Sequence, residues 1–507
     1  MSKKNTPAIL SIVFLFWGLI SCSDDRLDAT LEGGRDIEAK PIETLTDLRA
    51  TVSGAYYRMT HATYYGRDII IYSEARGDNA YAAAGFSNRF QHVTSFNLTP
   101  TLPNPRDTWR KIYEVISSAN LAIGSTIKTG DQKSIQQGKA EAYAIRALAH
   151  FDLLRLYGQH YVDNSGLAGL GIPYITRFGE LDSKNYKRLT VREVRDHIYN
   201  DLDTALQAAD KDAPNKKRFT AQSIYGIKSR VALFFGAFDA RDYTIALESA
   251  KAAMALGGEI IPRSAYVSSF RAEDPQSNSV FELAQDKVKN PENNSLHSIY
   301  SYQGYGDIVG LGNNLQDLFE DQTDIRSSSA MQGYNNLTQN AKGNYKKTGP
   351  NKYIKLTASE LEGKDPVDPA IRYNVEHYRN FGKYTVNSAN IRIMRYEELV
   401  FNFIEAAVRS QTEESTALVL LNKITAERYQ GNPAKKYNTL TLADVLTERR
   451  KEFVFEGFRF EDQMRNRENL ASTPQLRDGI PYGSVKLAFP IPLDEINTSK
   501  IDQNKGY

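Results

Sequence analysis

The chain has 507 residues, of which 41% are hydrophobic and 24% are charged, and its formal net charge is +2. This composition is that of an ordinary globular protein, and the near-neutral charge argues against a nucleic-acid partner, which would require a basic face. A single cysteine excludes a framework of disulfide bonds.

The N-terminus has the pattern of a bacterial lipoprotein signal. Lys3 and Lys4 precede an apolar run over residues 8–20, which is shorter than the roughly 20 residues that a membrane-spanning helix needs. The run ends in Leu19-Ile20-Ser21-Cys22, which has the form of a lipobox. The pattern predicts that residues 1–21 are an export signal and that Cys22 becomes the lipidated first residue.

Residues 22–45 are polar and predict a tether between the lipid and the folded body. From residue 46 onward, apolar residues recur at helical spacing. A capping box at Thr190-Val191-Arg192-Glu193 marks one helix start, and Gly158 stands where a C-cap glycine belongs. The predicted helices span residues 46–59, about 106–127, about 132–157, 190–209, 220–235, 243–256, about 393–410 and about 414–429.

The middle helices suggest a repeat architecture. Ala232, Asp239, Tyr243 and Ala246 occur in the order found in a tetratricopeptide helix pair. Such a pair cannot bury its apolar face alone and stacks on its neighbours. We therefore predict a mainly α fold, in which tetratricopeptide-like helix pairs form a scaffold over about residues 46–257 and 391–507.

Between about residues 258 and 390 the helical periodicity is lost, and Gly, Asn, Ser and Tyr dominate. A long irregular region inside a compact domain is usually functional or disordered. The many aromatic residues argue against disorder, which is poor in aromatics. We predict an ordered, loop-rich irregular lobe laid over the helical scaffold.

A series of motifs between Cys22 and the C-terminus follows the order seen in one family. The motifs are Ser23-Asp24-Asp25 after the cysteine, residues 118–123, residues 140–158, the group Phe319, Asp324 and Arg326, residues 395–406, residues 448–462, and residues 488–496. In this order they resemble the SusD/RagB family of outer-membrane nutrient-binding lipoproteins of the Bacteroidetes. Ile404 stands where the family usually has alanine.

The resemblance implies a single SusD-like domain over residues 46–507, anchored by lipid in the outer membrane and exposed at the cell surface. It implies a non-catalytic protein that captures oligomeric nutrients and delivers them to a SusC/RagA-like TonB-dependent transporter. Its members bind oligosaccharides and in some cases oligopeptides. No cofactor is implied.

Two features of the sequence bear on catalysis. Glu448, Glu452 and Glu456 are spaced four apart, as on one helical face, and paired carboxyls can act as acid and base. Arginines and a lysine interleave them, which favours ion-paired helix faces instead. The seven histidines show no HExxH spacing and have no cysteine partners, so the sequence predicts neither an enzyme nor a metal site.

Two patches are candidate ligand contacts. The resemblance brings the loop after the first long helix near the ligand cleft, and the lobe is rich in tyrosine. The candidate residues are Asp78, Asn79, Tyr81, Phe86 and Arg89 in the loop, and Tyr300, Tyr302, Tyr305 and Tyr334 in the lobe. Trp109 falls on a predicted buried helix face, and tyrosine can take the place of a tryptophan platform for sugars. An oligosaccharide is favoured over an oligopeptide, and both remain open.

A second class of function also fits the sequence. Tetratricopeptide-like scaffolds commonly bind other proteins, so the chain could be a surface adhesin or an assembly protein that uses its helical repeats. The two functions differ in whether small oligomers bind and whether a transporter accompanies the protein.

Overall fold

The structure is a computed structural model, and it describes residues 41–84, 87–179, 187–301, 303–335, 337–340, 342–349, 352–362, 372–431, 435–473 and 477–507. The predicted signal, Cys22 and most of the predicted tether lie outside the described residues. Of the described helices, none is both long enough and apolar enough to cross a membrane.

Helices dominate the described residues. In chain order they are α1 Leu45–Met59, α2 Asp68–Arg76, α3 Gln91–Thr94, α4 Pro103–Gly124, α5 Gln132–Tyr157, α6 Val191–Ala208, α7 Ala221–Phe235, α8 Arg241–Ala255, α9 Arg263–Ser269, α10 Leu296–Tyr300, α11 Gly312–Leu318, α12 Ala358–Leu361, α13 Tyr396–Ser410, α14 Glu414–Arg428, α15 Leu442–Phe453, α16 Arg459–Arg465 and α17 Leu493–Ser499. The prediction of a mainly α fold is confirmed.

The strands are short. They are β1 Ala80–Ala82, β2 Ser279–Leu283, β3 Ile308–Gly310, β4 Gln332–Tyr334, β5 Thr338–Gln339, β6 Tyr345–Gly349, β7 Lys352–Lys355, β8 Arg372–Asn374, β9 Tyr378–Asn380 and β10 Ile391–Arg395. One antiparallel sheet has the order β1-β3-β9-β4, a second has the order β5-β8-β6-β7, and β2 pairs with β10.

The long helices form where the sequence predicts them, because their signals are local. Helix α5 has the predicted bounds, and α6 begins after the predicted capping box, in which Thr190 Oγ1 accepts a hydrogen bond from the Glu193 amide at 3.2 Å. Gly158 caps α5 with extended backbone, and a Cβ there would lie 2.7 Å from the Leu154 carbonyl oxygen. The glycine is therefore required by close packing rather than by a left-handed turn.

The helices pack as neighbouring pairs around a large apolar core and a second, smaller one between α7, α8, α13 and α14. Helix α5 lies between α4 and α6, α7 packs on α8, and α8 packs on α13. Trp109 is 2% exposed and packs edge-on against Tyr157, with ring centroids 4.9 Å apart, so its predicted burial is confirmed. The paired arrangement is consistent with the predicted tetratricopeptide-like scaffold.

Two predictions about secondary structure need correction. Residues 393–395, predicted as the start of a helix, belong to β10, and α13 begins at Tyr396. The lobe at about residues 258–390 is less irregular than expected, since it contains β2 to β9. Its strands pair with partners far along the chain, such as β1 with β3, and short pairings of this kind leave little periodicity in the sequence.

Candidate functional site

A cluster of tyrosines lies where the two four-stranded sheets meet. Its members, which we call the tyrosine cluster, each come from a different strand: Tyr81, Tyr334, Tyr345, Tyr353, Tyr373 and Tyr378. The Tyr334 ring centroid lies 5.3 Å from that of Tyr378 and 5.5 Å from that of Tyr353, both nearly perpendicular. Tyr81, Tyr334 and Tyr345 are half-buried, so each presents part of its side chain to solvent.

Strand register brings these rings together. Tyr334 pairs with Tyr378 across β4 and β9, and Tyr345 pairs with Tyr373 across β6 and β8. Residues that pair directly across antiparallel strands project to the same face, and so do residues two apart along one strand. The register therefore collects Tyr345, Tyr353 and Tyr373 on one face of the second sheet.

Burial raises the pKa of Tyr81 and of Tyr345, and it raises that of Tyr334 further. The nearby phenols of Tyr345 and Tyr81 add to the shift of Tyr334. A tyrosine with a raised pKa remains protonated at neutral pH. Each hydroxyl can therefore both donate and accept a hydrogen bond.

A polar cleft of about 380 Å³ adjoins the tyrosine cluster. Gln316 on its wall donates a hydrogen bond from Nε2 to the Tyr334 hydroxyl at 2.9 Å, and its Oε1 accepts one from the Tyr353 amide at 2.6 Å. The cleft has a size typical of small-molecule sites. Its lining residues are Gln316, Phe319, Glu320, Gln322, Ser327, Thr348, Gly349, Lys352 and Tyr378.

Some residues predicted from the sequence come together, although they are far apart along the chain. Tyr81 and Tyr334 both belong to the tyrosine cluster. The Arg89 guanidinium lies 3.9 Å from the centroid of the Tyr305 ring, and Arg89 Nη1 donates to Asn294 Oδ1 at 2.8 Å. Tyr305 is 36% exposed, so this stacked pair forms a second patch on the surface.

Other predicted residues have a different environment. Asp78 is paired with Arg459, whose Nε lies 2.5 Å from Oδ1, and Asn79 accepts a hydrogen bond from Arg450 Nε at 2.9 Å. Tyr300 stacks on Tyr384, with centroids 5.7 Å apart. Asn79 and Tyr300 are 1% and 2% exposed, so the expectation that these two side chains contact a ligand needs correction.

The burial has a physical reason: Asn79 and Tyr300 join α2 and α10 to the C-terminal segment. Tyr300 donates its hydroxyl hydrogen to the Phe455 carbonyl oxygen at 3.2 Å. The Asn79 amide and the Tyr300 hydroxyl are therefore hydrogen-bonded to the C-terminal segment. Phe86 and Tyr302 lie outside the described residues.

The sequence does not predict most of the tyrosine cluster, or the cleft. Tyr345, Tyr353, Tyr373 and Tyr378 all fall within the region predicted to be irregular. A signal was present, because Tyr345-Lys346-Lys347-Thr348 and Lys352-Tyr353-Ile354-Lys355 are separated by Gly349-Pro350-Asn351, a sequence typical of a hairpin turn. Nothing local, however, indicates which strands pair.

The acidic stretch at residues 448–462 is built into buried ion pairs. Arg428 Nε lies 2.8 Å from Glu452 Oε2, and Arg326 Nη2 lies 2.6 Å from Glu448 Oε2. The acids are ion-paired as predicted, but their arginine partners come from other segments of the chain, while the interleaved Arg449 and Arg459 pair with Asp462 and Asp78. The predicted common face of Glu452 and Glu456 is wrong, because α15 ends at Phe453 and the chain turns before Glu456.

A larger groove of about 690 Å³ lies on the helical side. Helices α1 and α4 form its walls, with Gly54, Trp109 and Tyr113 among the lining residues. Phe178 also lines this groove, and its side chain is 47% exposed. In the described part of the chain, no group of three or more His, Cys, Asp and Glu side chains is arranged to hold a metal ion.

The architecture thus defines a class: a scaffold of paired helices that carries a strand-built, tyrosine-lined polar cleft. Comparison with known sequences identifies the family. A profile described as "Starch-binding associating with outer membrane" matches residues 39–233, and the profile of the SusD family matches residues 318–507. The chain belongs to the SusD/RagB family.

Individual relatives agree with this assignment. A SusD-like protein of Bacteroides ovatus is 25% identical over 90% of this chain and 81% of its own length. SusD-like protein P2 of Formosa agariphila is 30% identical over 26% of this chain. The matches span only 29% of that protein and 44% of SusD-like protein P38 from the same organism.

Solved structures share the fold. A SusD superfamily protein of Bacteroides thetaiotaomicron has a TM-score of 0.76 at 24% identity, over 91% of this chain and 99% of that one. Surface glycan-binding protein A of Bacteroides fluxus has a TM-score of 0.67 at 20% identity, over 92% of this chain and all of that one.

Proposed function

We propose that this protein is a non-catalytic, surface-exposed lipoprotein of the outer membrane that captures oligosaccharides and delivers them to a partner TonB-dependent transporter. The observation that carries the proposal is the tyrosine cluster beside the polar cleft. Family membership supports it, as does the description of one structural relative as a surface glycan-binding protein.

The chemistry of the site suits a sugar chain. A sugar ring has a C–H face, which packs on an aromatic ring, and a fringe of hydroxyls, which need hydrogen-bond partners. Tyr81, Tyr334 and Tyr345 supply partly exposed rings together with neutral hydroxyls. Around the cleft, Gln316, Gln322, Ser327 and Thr348 supply amides and hydroxyls. A site of this kind is concave, with a few polar groups that orient the ligand.

The same features favour an oligosaccharide over an oligopeptide. Peptide sites commonly use an open strand edge or an apolar groove, whereas the cleft is lined mainly by polar side chains. The non-catalytic assignment is supported by the arginine partners of Glu448 and Glu452, which hold these carboxylates inside the protein.

A binding experiment tests the site. We expect Tyr345→Ala to weaken oligosaccharide binding about fivefold, because an aromatic contact contributes about 1 kcal/mol. Tyr57→Ala is the matched control, since Tyr57 is 64% exposed on α1. Isothermal titration calorimetry with a panel of oligosaccharides measures both variants. Equal affinity for the two variants would place the ligand elsewhere.

A second experiment tests delivery and anchoring. Tagged protein is extracted from native outer membranes in mild detergent and analysed by native mass spectrometry. We expect it to co-purify with a large β-barrel and to carry acyl chains, whereas Cys22→Ser should release it from the membrane. Recovery without a barrel contradicts delivery, and the mass of any bound oligomer distinguishes glycan from peptide.

The groove between α1 and α4 favours one alternative, a surface adhesin or assembly protein. Helix-lined grooves of this kind are used by helical repeats to bind other proteins. In the membrane extraction, co-purification with a fimbrial or host protein and with no barrel would support this alternative.

A further inference from the structure

The sheet that carries half of the tyrosine cluster is strongly basic. Strands β5, β6, β7 and β8 contain five cationic residues and no acidic one: Lys346, Lys347, Lys352, Lys355 and Arg372. The chain as a whole has a formal charge of only +2, so this sheet is a local concentration of positive charge. We call it the basic sheet.

Register brings two of these lysines to the tyrosine face. Lys347 pairs with Tyr353 and Lys355 pairs with Tyr345, so each lysine projects to the same side as those rings. Lys347 Nζ lies 6.0 Å from the centroid of the Tyr373 ring. Ammonium groups and aromatic rings therefore share one face.

These two lysines are also available to a ligand. Lys346 is paired with Glu360 at 2.6 Å, and Lys352 with Asp317 at 3.2 Å. Lys347 and Lys355 are exposed, and neither has an ion-pair partner among the residues that the structure describes. Within the described parts of the chain, no carboxylate lies within ion-pair distance of either ammonium group.

Protection of a sheet edge explains only part of this pattern. Strand β7 is at the edge of the basic sheet, and exposed lysines on an edge strand discourage pairing with other chains. This accounts for Lys352 and Lys355. It does not account for Lys347, since β6 is an inner strand between β8 and β7.

The charge is also one-sided. Asp317 belongs to α11, and Glu320 lines the cleft just after that helix. Lys352 lines the cleft, whereas Lys347 and Lys355 lie on the tyrosine face of the basic sheet beside it. A ligand that packs on those rings meets Lys347 and Lys355 at its fringe.

We propose that the ligand is an anionic oligosaccharide, whose carboxylate or sulfate groups bind Lys347 and Lys355 while its rings pack on the tyrosine cluster. This inference rests on the proposed function, oligosaccharide capture. An ammonium group binds carboxylate and sulfate alike as a compact charge, so the shared chemistry is an anion at the ring periphery.

The test compares three oligosaccharide probes by isothermal titration calorimetry, with an acidic peptide titrated beside them: an oligogalacturonate, a sulfated galactan oligosaccharide and a neutral galactan oligosaccharide. The double variant Lys347→Ala/Lys355→Ala is compared with Lys211→Ala, which removes an exposed lysine in the turn after α6. Titrations at 50 mM and 500 mM NaCl measure the electrostatic contribution, because salt screens exposed charges. Thermal unfolding of each variant verifies its folding.

We expect at least one anionic probe to bind more tightly than the neutral one, and the probe that binds identifies carboxylate or sulfate as the anion. The double variant should weaken that binding about three- to tenfold, leave neutral binding unchanged and reduce the salt dependence. Lys211→Ala should leave the binding of all three oligosaccharides and its salt dependence unchanged.

Two outcomes overturn the inference in distinguishable ways. Equal binding of neutral and anionic probes, unaffected by the lysine variants, refutes the charge selection and leaves oligosaccharide capture standing. Failure of all three probes to bind at millimolar concentration, with tight binding of an acidic peptide, refutes oligosaccharide capture itself and the inference with it.

Discussion

Glu74 belongs to α2, and its carboxyl group has no exposed surface and faces the turn that precedes α16. Its Oε1 accepts a hydrogen bond from the Gly457 amide at 2.9 Å. Burial raises the pKa of Glu74 to about 7, although that hydrogen bond and the charge of Lys383 act to lower it. Glu74 Oε2 also accepts a hydrogen bond from Asn79 Nδ2 at 3.4 Å, next to β1, which carries Tyr81.

This raised pKa predicts a pH-dependent stability. Between about pH 4.5 and pH 7 the unfolded chain has lost this proton and the folded chain retains it, so the free energy of unfolding falls as pH rises. The full window corresponds to about 3 kcal/mol. Glu74→Gln should remove this slope, which urea unfolding at pH 5, 6, 7 and 8 measures.

The matched control for this prediction is Glu248→Gln, on the exposed face of α8. Its free energy of unfolding should follow that of the unmodified protein at every pH. If the difference between Glu74→Gln and the unmodified protein stays constant from pH 5 to pH 8, Glu74 is ionised in the folded state throughout.

At the scale of single elements, the start of α6 shows how local signals determine a helix. Thr190 Oγ1 accepts from the Glu193 amide, and the Glu193 carboxylate accepts from the Thr190 amide at 2.7 Å. These contacts satisfy amide groups that a helix start otherwise leaves without partners. The four residues suffice for this, which is why sequence analysis located this start.

Removing the cap should cost a predictable amount. We expect Thr190→Ala to lower the free energy of unfolding by about 1 kcal/mol, since the amide of Glu193 loses its acceptor. Thr190→Ser keeps the hydroxyl and should retain most of the stability. Urea unfolding compares the two variants, and equal losses would mean that the cap contributes little.

The turn between α15 and α16 depends on distant neighbours instead. Gly457 has a φ of +83°, and a Cβ at this position would lie 2.9 Å from the Ile70 Cα. Gly431 has a φ of +63°, but a Cβ there would meet nothing within 4 Å. The two glycines share a left-handed backbone and differ in packing.

This contrast makes a paired prediction. Gly431→Ala should cost about 1 kcal/mol, the penalty for placing a side chain in the left-handed region. Gly457→Ala should cost clearly more, because its methyl group also displaces the backbone of α2. Thermal unfolding measures both, and similar costs would show that α2 can yield to the added atom.

At the scale of the whole molecule, buried ion pairs join segments that are far apart in the chain. Arg395, at the end of β10, contacts Glu397 of α13, Glu452 of α15 and Glu456 beyond it. Burial acts to raise the pKa of Glu452, but the guanidinium groups of Arg428 and Arg395 outweigh it and lower that pKa. Each buried charge of this network is therefore compensated by the opposite charges around it.

Breaking this network should be costly. We expect Glu452→Gln to lower the free energy of unfolding by about 3–5 kcal/mol, because Arg428 and Arg395 would remain buried with reduced compensation. The network's contribution to the free energy of unfolding is fully present above about pH 4.5. It is lost as the pH falls further, because the carboxylates of the network then become protonated. The loss on acidification should therefore be smaller in the variant, which urea unfolding at pH 7 and pH 4 measures.

For the candidate site, the sequence supplied partial information. It named Tyr81, Arg89, Tyr305 and Tyr334 as candidate ligand contacts, and the structure brings Tyr81 near Tyr334 and Arg89 onto Tyr305. It did not reveal that Tyr345 and Tyr378 complete the cluster, or that Tyr300 is buried. Those facts depend on strand pairing and on which side of an element faces the core.

The sequence by itself determined the long helices, the cap of α6 and the membership of the chain in its family, because these signals lie within a few turns or a short motif. Only the tertiary structure decided the strand pairing within each sheet, the packing of the two sheets that brings Tyr81, Tyr334 and Tyr345 together, and the pairing of α15 with distant arginines. The physical reason is that contacts between remote strands and buried charges depend on the mutual packing of the whole chain, which no local pattern encodes.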